Sequence, residues 1–167
     1  PGQGNVVSGN TGNGISIDAS AGAGNTVLGN LIGVQSDGTT ALGNGGWGVE
    51  AGTSAVTVGG VGAGEGNVIA NNGVGVIGGV WVRNGTTFGT VVRGNSIYNN
   101  SGLGIDLNVA GIQANDPGDG DAGANNVQNF PVLTGATGNG TAVAITGHFL
   151  PGDNSRTRAN GTYIIDF

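Results

Sequence analysis

The chain has 167 residues, 39 of them Gly, with 8% charged residues, 5% aromatics and no Cys or Met. Glycine this dense without a strict every-third-residue period excludes a collagen, and so low a charge excludes ordinary disorder. The lack of Cys removes disulfide scaffolds, thiolate nucleophiles and Cys-held zinc or iron–sulfur centres. The net charge of −6, from ten carboxylates against four Arg and no Lys, argues against nucleic acid or an anionic membrane surface as a partner. No apolar run approaches the ~18 residues of a membrane span. Pro1-Gly2-Gln3-Gly4 lacks the charged-then-apolar profile of a signal peptide, so an export signal is expected to have been removed or to lie outside the chain.

Taken in chain order, the elements repeat. Gly4-Asn5-Val6-Val7-Ser8-Gly9-Asn10 returns 62 residues later as Gly66-Asn67-Val68-Ile69-Ala70-Asn71-Asn72. Gly14-Ile15-Ser16-Ile17, with Gly24-Asn25-Thr26-Val27-Leu28-Gly29-Asn30-Leu31-Ile32 behind it, returns 65 residues later as Gly79-Val80-Trp81-Val82 and Gly89-Thr90-Val91-Val92-Arg93-Gly94-Asn95-Ser96-Ile97. Gly48-Val49-Glu50-Ala51 and Gly104-Ile105-Asp106-Leu107 are further copies of the short motif, although Gly73-Val74-Gly75-Val76 could replace the Gly79 block. Repetition of this kind has to be settled before secondary structure, because it decides the fold.

In Ile15-Ser16-Ile17, Val80-Trp81-Val82 and Ile105-Asp106-Leu107 the outer residues point one way and the middle residue the other, as in short strands buried on one face. Each is bounded by Gly or Asn, which tolerate positive φ and so turn corners. A repeat this small cannot bury its apolar side alone, so successive turns must stack, like residue on like. One inward ladder is expected from Ile15, Val49, Val80 and Ile105, beside Ile17, Ala51, Val82 and Leu107. Another is expected from Val7, Val27, Ile69 and Val92, with Ile32 and Ile97 in part of a third. Helices are disfavoured, since interior glycine costs about 1 kcal/mol per position. The expectation is an all-β parallel β-helix of about four turns over residues 1–130, roughly 19 Å tall at the usual strand spacing.

Two segments interrupt the coil. Residues 35–46 read as a polar excursion, either a binding loop or a plain one. Residues 108–130 carry Asn115, Asp116, Asp119, Asp121, Asn125 and Asn126. That oxygen density suits either Ca2+, with Asp116, Asp119 and Asp121 as ligands, or a self-bonded loop of Asx turns. The EF-hand pattern fails, because its third ligand position is Gly123. Beyond Pro131 the pattern changes to antiparallel β: Pro131–Gly135 and Thr141–Leu150 flank Asn139-Gly140, a two-residue hairpin signal, and Gly161–Phe167 is a third strand. Residues 131–167 are therefore expected to be an incomplete sandwich-like module.

Gly4-Asn5-Val6-Val7-Ser8-Gly9-Asn10, Asn30-Leu31-Ile32-Gly33, Gly38 through Gly46, Gly104-Ile105-Asp106-Leu107, and Asn115-Asp116-Pro117-Gly118-Asp119-Gly120-Asp121 through Leu133 together carry a family likeness. Over residues 1 to about 135 the chain resembles the bacterial right-handed parallel β-helix repeat family, with a pectin-lyase-like fold. The resemblance implies a right-handed β-helix followed by the start of a C-terminal β-sandwich-like segment, and export to the cell surface or medium. It does not by itself imply an enzyme.

For chemistry, the outward column reads Ser16, Glu50, Trp81 and Asp106, with Asp18 and Arg83 in the next column. Glu50 and Asp106 would stand roughly 9.6 Å apart, at the upper edge for an inverting glycosidase, with Trp81 placed to stack on a sugar. No neighbouring carboxylate in the column raises either pKa, and Trp81 occupies the place a water or substrate needs. The Gly-His-Gly and paired-Asp patterns of polygalacturonases are missing, His148 lies within a hairpin strand, and Arg83 and Arg93 read as bridges to carboxylates on adjacent turns. Trp47 and Trp81 are placed outside the coil by the alternation, either as docking aromatics or covered by nearby loops. Sequons fall at Asn84, Asn99, Asn139 and Asn160.

The expectation is therefore a non-catalytic exported structural protein. Its turns would join head to tail, or its C-terminal strands would be completed by another chain, giving a homopolymeric surface or extracellular filament. Trp47, Trp81, Phe149, Tyr163, Ile165 and Phe167 are the candidate contacts. The alternative is a carbohydrate-binding or carbohydrate-cleaving β-helix working through Glu50, Trp81 and Asp106. No cofactor is expected beyond the Ca2+ reading.

Overall fold

The computed structural model describes residues 4–83, 85, 87–118 and 120–149. These divide into two compact units. One holds the residues up to Ile112 together with Gly123–Asn125; the other holds Gln113–Ala122 and the residues from Asn126 onward.

The first unit is built from short strands in chain order: β1 (Val6–Val7), β2 (Ile15–Ile17), β3 (Thr26–Val27), β4 (Leu31–Ile32), β5 (Val49–Ala51), β6 (Thr57–Val58), β7 (Val68–Ala70), β8 (Val80–Arg83), β9 (Val91–Val92), β10 (Ser96–Tyr98) and β11 (Ile105–Asn108). They form three parallel sheets with orders β1-β4-β7-β10, β2-β5-β8-β11 and β3-β6-β9. The chain thus visits the sheets in strict rotation, three full rounds and the first two strands of a fourth. After an excursion it returns beside the segment between β8 and β9. Asn125 donates its backbone N–H to the Thr87 carbonyl at 2.8 Å, and its carboxamide exchanges two hydrogen bonds with the backbone of Thr90.

The middle sheet keeps the expected columns. Ile15, Val49, Val80 and Ile105 are in register, as are Ile17, Ala51, Val82 and Leu107, and the Gly79 block is the one used. The other two sheets correct the expectation. Val7 lines up with Ile32, Ile69 and Ile97, whereas Val27 lines up with Val58 and Val92. The core is formed by Val27, Ile32, Val49, Ala51, Val56, Val58, Ile69 and Val80 with Ile17, and Val7, Ile15, Val92 and Ile97 of the outer rounds pack against it. Each fully buried Val or Ile contributes about 1.5–3 kcal/mol, so two-residue strands hold through stacked side chains rather than through their own hydrogen bonds.

Glycine is required where rounds touch. A Cβ on Gly48 would lie 2.6 Å from Ile69 Cγ2, and Gly29, at φ +70°, would direct one to 2.6 Å from the Gly64 carbonyl oxygen. The excursion expected at 35–46 is shorter: Gln35 N–H donates to the Thr40 carbonyl and Val34 bridges Ala41 in antiparallel fashion, whereas Gly45 and Gly46 already donate to the Asn10 and Gly12 carbonyls.

In the second unit, β12 (Val132–Gly138) pairs antiparallel with β13 (Val143–His148) and carries an irregularity between Leu133 and Gly135. The connection spans four residues, 139–142, instead of the expected two. The reason is an Asx turn: the Asn139 carboxamide oxygen accepts from the backbone N–H groups of Thr141 and Ala142 and from the Thr141 hydroxyl. Nearly every residue of this hairpin is solvent-exposed, Leu133 and Val143 included. The strand expected at Gly161–Phe167 lies outside the described residues, with Tyr163, Ile165 and Phe167.

Candidate functional site

The middle sheet brings Ser16, Glu50, Trp81 and Asp106 into one column, in that order on β2, β5, β8 and β11. Three donors occupy the Glu50 carboxylate. Oε2 accepts from Asn13 Nδ2 at 2.7 Å and Ser16 Oγ at 3.2 Å, and Oε1 takes Arg83 Nη1 at 3.3 Å in an ion pair between neighbouring strands. Asn13 also accepts the Trp47 backbone N–H at 2.8 Å, so one side chain ties β5 to the corner before it.

Of the two readings of the tryptophans, Trp47 follows the covered one, and Asp106 lacks the exposure that alternation gives it. Trp47 is only 6% exposed and stacks on Trp81, ring centroids 5.5 Å apart and planes inclined 20°. Trp81 is half-buried, and its indole N–H donates to the Asn108 carbonyl at 2.8 Å. Asp106, outward by alternation, is 1% exposed. The chain leaving β11 turns back so that the Gly111 N–H donates to Oδ2 at 2.8 Å, while Oδ1 is buried without a partner. Burial raises its pKa, and the Gly111 bond opposes the shift only in part. The trio Glu50, Trp81 and Asp106 therefore shares a register, but Glu50 is engaged by its neighbours and Asp106 is closed off from solvent.

In the second unit Asn115 exchanges two hydrogen bonds with the Phe130 backbone, and Asn129 does the same with the Asp116 backbone. Asp116 Oδ2 accepts from the Gly120 N–H at 3.2 Å. The loop is therefore bonded to itself, but through carboxamide–backbone pairs 13 and 15 residues apart in sequence rather than through the local Asx turns expected. Asp121 is exposed, Asp119 lies outside the described residues, and among the described residues no group of three His, Cys, Asp or Glu is placed to hold a metal ion. Phe149 is half-buried. Asn99 and Asn139 are exposed, whereas Asn84 and Asn160 lie outside the described residues.

What sequence reasoning missed is a pair of asparagine ladders at two corners. In the first, Asn5, Asn30 and Asn67 each donate a backbone N–H and an Nδ2 hydrogen to the carboxamide oxygen of the next member, ending on Asn95. In the second, Asn10, Asn44 and Asn72 do the same, ending on Asn100. Asn30, Asn44, Asn67 and Asn72 are buried, and their second Nδ2 hydrogens reach backbone carbonyls such as Leu28 and Val7. The available signal was the Gly-Asn pair at 4–5, 29–30, 66–67 and 94–95. No family model, no curated protein and no solved structure matches the chain.

Proposed function

We propose that the first unit is a right-handed parallel β-helix of the bacterial repeat kind, and that its work is assembly rather than catalysis. The strict rotation through three parallel sheets supports the coil, and right-handed crossovers between parallel strands are the rule for L-amino acids. On this reading the protein is exported and acts at the cell surface or outside it, with copies of itself as partners and no cofactor in the join. The occupied Glu50 carboxylate and the closed Asp106 weigh against a sugar-cleaving site, which needs open carboxyl groups on both sides of a glycosidic bond.

One observation carries the reading. Val49 and Val80 are fully buried, yet Ile105, the next residue of their column, is 46% exposed on the outermost strand of its sheet. A parallel sheet ending on apolar residues, with no charged side chain exposed on β10 or β11 to guard the edge, invites another strand. Sedimentation velocity over a concentration series, with negative-stain imaging, tests this. Concentration-dependent rods are expected, and particles that remain monomeric at every concentration would overturn it.

A further inference from the structure

We propose that Asn139, in the turn between β12 and β13, is a site of self-modification. The Gly140 nitrogen closes on its carboxamide to form a succinimide, which water opens to aspartate or isoaspartate. The sequence holds six Asn-Gly pairs, at 13, 44, 72, 84, 139 and 160, and the structure describes both residues in four of them. In such a pair the attacking and attacked atoms are already joined through the chain, and glycine puts no side chain in the way, so the surroundings decide the rate.

Three of the four pairs are closed off by the coil. The N–H groups of Gly14, Gly45 and Gly73 donate to the carbonyls of Trp47, Asn10 and Asn44 over 2.8–2.9 Å, so the nitrogen that would attack is held. The amide that would leave is held as well. Nδ2 of Asn13 donates to Ser16 and Glu50, that of Asn44 to Val7 and Asn72, and that of Asn72 to Ile32 and Asn100. Asn139 has the opposite arrangement. It is exposed, and among the described residues nothing accepts from the Gly140 N–H or from Asn139 Nδ2. The donors gather instead on Oδ1, the oxygen on which charge builds when Cγ is attacked: the N–H groups of Thr141 and Ala142 at 3.1 and 3.0 Å and the Thr141 hydroxyl at 2.9 Å.

Water is the only co-reactant. Hydroxide takes the Gly140 proton, the nitrogen lone pair forms the new bond to Cγ, and the bond from Cγ to Nδ2 breaks, Nδ2 leaving as ammonia with a proton from water. A second water then cleaves one of the two carbonyl bonds to the shared nitrogen. Cleavage at Cγ gives aspartate, which keeps an acceptor for Thr141 and Ala142 and so keeps the turn. Cleavage at the backbone carbonyl gives isoaspartate, whose extra methylene lengthens the connection next to the Gly138–Val143 pair.

The full chain is incubated in mildly alkaline buffer, digested in acid and read site by site in a mass spectrometer. Conversion at Asn139 at least about tenfold faster than at Asn13, Asn44 or Asn72 is expected, and it should rise with pH, as removal of the Gly140 proton requires. Any of the three converting as fast as Asn139 would overturn the proposal. Unfolding in guanidinium should bring the three coil pairs up to the rate of Asn139. Pairs that stayed slow when unfolded would show that the coil does not protect them, and would overturn it as well. Thr141→Val removes the hydroxyl and leaves both N–H donors, so it should slow the reaction about threefold, the scale of one net hydrogen bond. An unchanged or faster rate would overturn the role given to the bonds on Oδ1.

Discussion

The Asn72 carboxamide oxygen accepts from both the backbone N–H of Asn44, at 3.2 Å, and the Asn44 side-chain amide, at 2.7 Å. Its own amide nitrogen donates to the Ile32 carbonyl and to Asn100, and the residue is fully buried. Asn72→Ala strands the Asn44 backbone N–H and amide and the Ile32 carbonyl, each costing about 1–3 kcal/mol when unpaired, so a loss of about 3 kcal/mol or more is expected. Asn10 has a partner on one side only, and its backbone N–H bond to Asn44 survives truncation. Asn10→Ala should cost about 1 kcal/mol or less. Urea midpoints of the two variants check the ranking, and equal losses would mean that the ladder does not act as a chain of shared bonds.

Gly48, just before β5, has a hydrogen where a methyl would sit 2.6 Å from Ile69 Cγ2 and 2.9 Å from the Gly79 carbonyl oxygen. Its backbone is not in the left-handed region, so the penalty of Gly48→Ala is steric and should be about 1–3 kcal/mol. Ile69→Ala alone opens a cavity and should cost about 2–5 kcal/mol. The double variant should lose clearly less than the two single losses together, because the new methyl enters the space the isoleucine vacates. Additive losses in chemical denaturation would assign the glycine another role.

The middle sheet could be read from the sequence because its strands run to three or four residues, long enough for Ile-Ser-Ile or Val-Trp-Val to show an alternation, and each follows a glycine. That glycine has a cause in the fold: at Gly14, Gly48 and Gly79 the side-chain direction is filled by the Cγ2 methyl of Ile32, Ile69 and Ile97, one sheet back. The flanking sheets have mostly two-residue strands, too short for any period, so sequence alone groups Val7 with Val27 though they lie in different sheets. Treating Gly29-Asn30-Leu31-Ile32 as the counterpart of Gly4-Asn5-Val6-Val7 would have separated them. The burial of Asp106 was not legible at all. Alternation assigns a side of the sheet, and the cover comes from a loop whose path no strand pattern encodes.

Asp37 shows how the loop between Val34 and Ala41 holds its shape. The Thr40 hydroxyl and the backbone N–H groups of Thr39 and Thr40 all donate to its carboxylate, which brings its pKa from 3.8 down to about 2. Because the folded value lies below the unfolded one, the stabilisation is complete above about pH 4 and is lost as pH falls toward 2. Asp37→Ala should flatten the acid side of the stability profile in that window and leave the slope above it unchanged. Carboxyl NMR titration of the wild type would contradict this if Asp37 titrated at its ordinary value.

Asp106 should show the opposite sign. Its Oδ1 is buried with no donor, its single bond comes from the Gly111 N–H, and burial lifts its pKa above 3.8. A carboxyl whose folded value is raised binds its proton more tightly in the folded chain, so it favours folding below the unfolded pKa. That contribution declines as pH rises through the unfolded and then the folded value. At neutral pH the ionised group therefore costs stability. Asp106→Asn keeps an oxygen for Gly111 and removes the charge, so it should raise stability at pH 7 by roughly 1 kcal/mol, the scale of an unsatisfied buried polar group. The gain should shrink toward pH 3, where the wild-type carboxyl is itself protonated. Thermal or urea unfolding of both proteins across that range decides the matter. A neutral-pH loss in the variant would show that the carboxylate is compensated by a partner, and the closed end of the Ser16–Asp106 column would then have to be read as a charged site rather than a cost of closure.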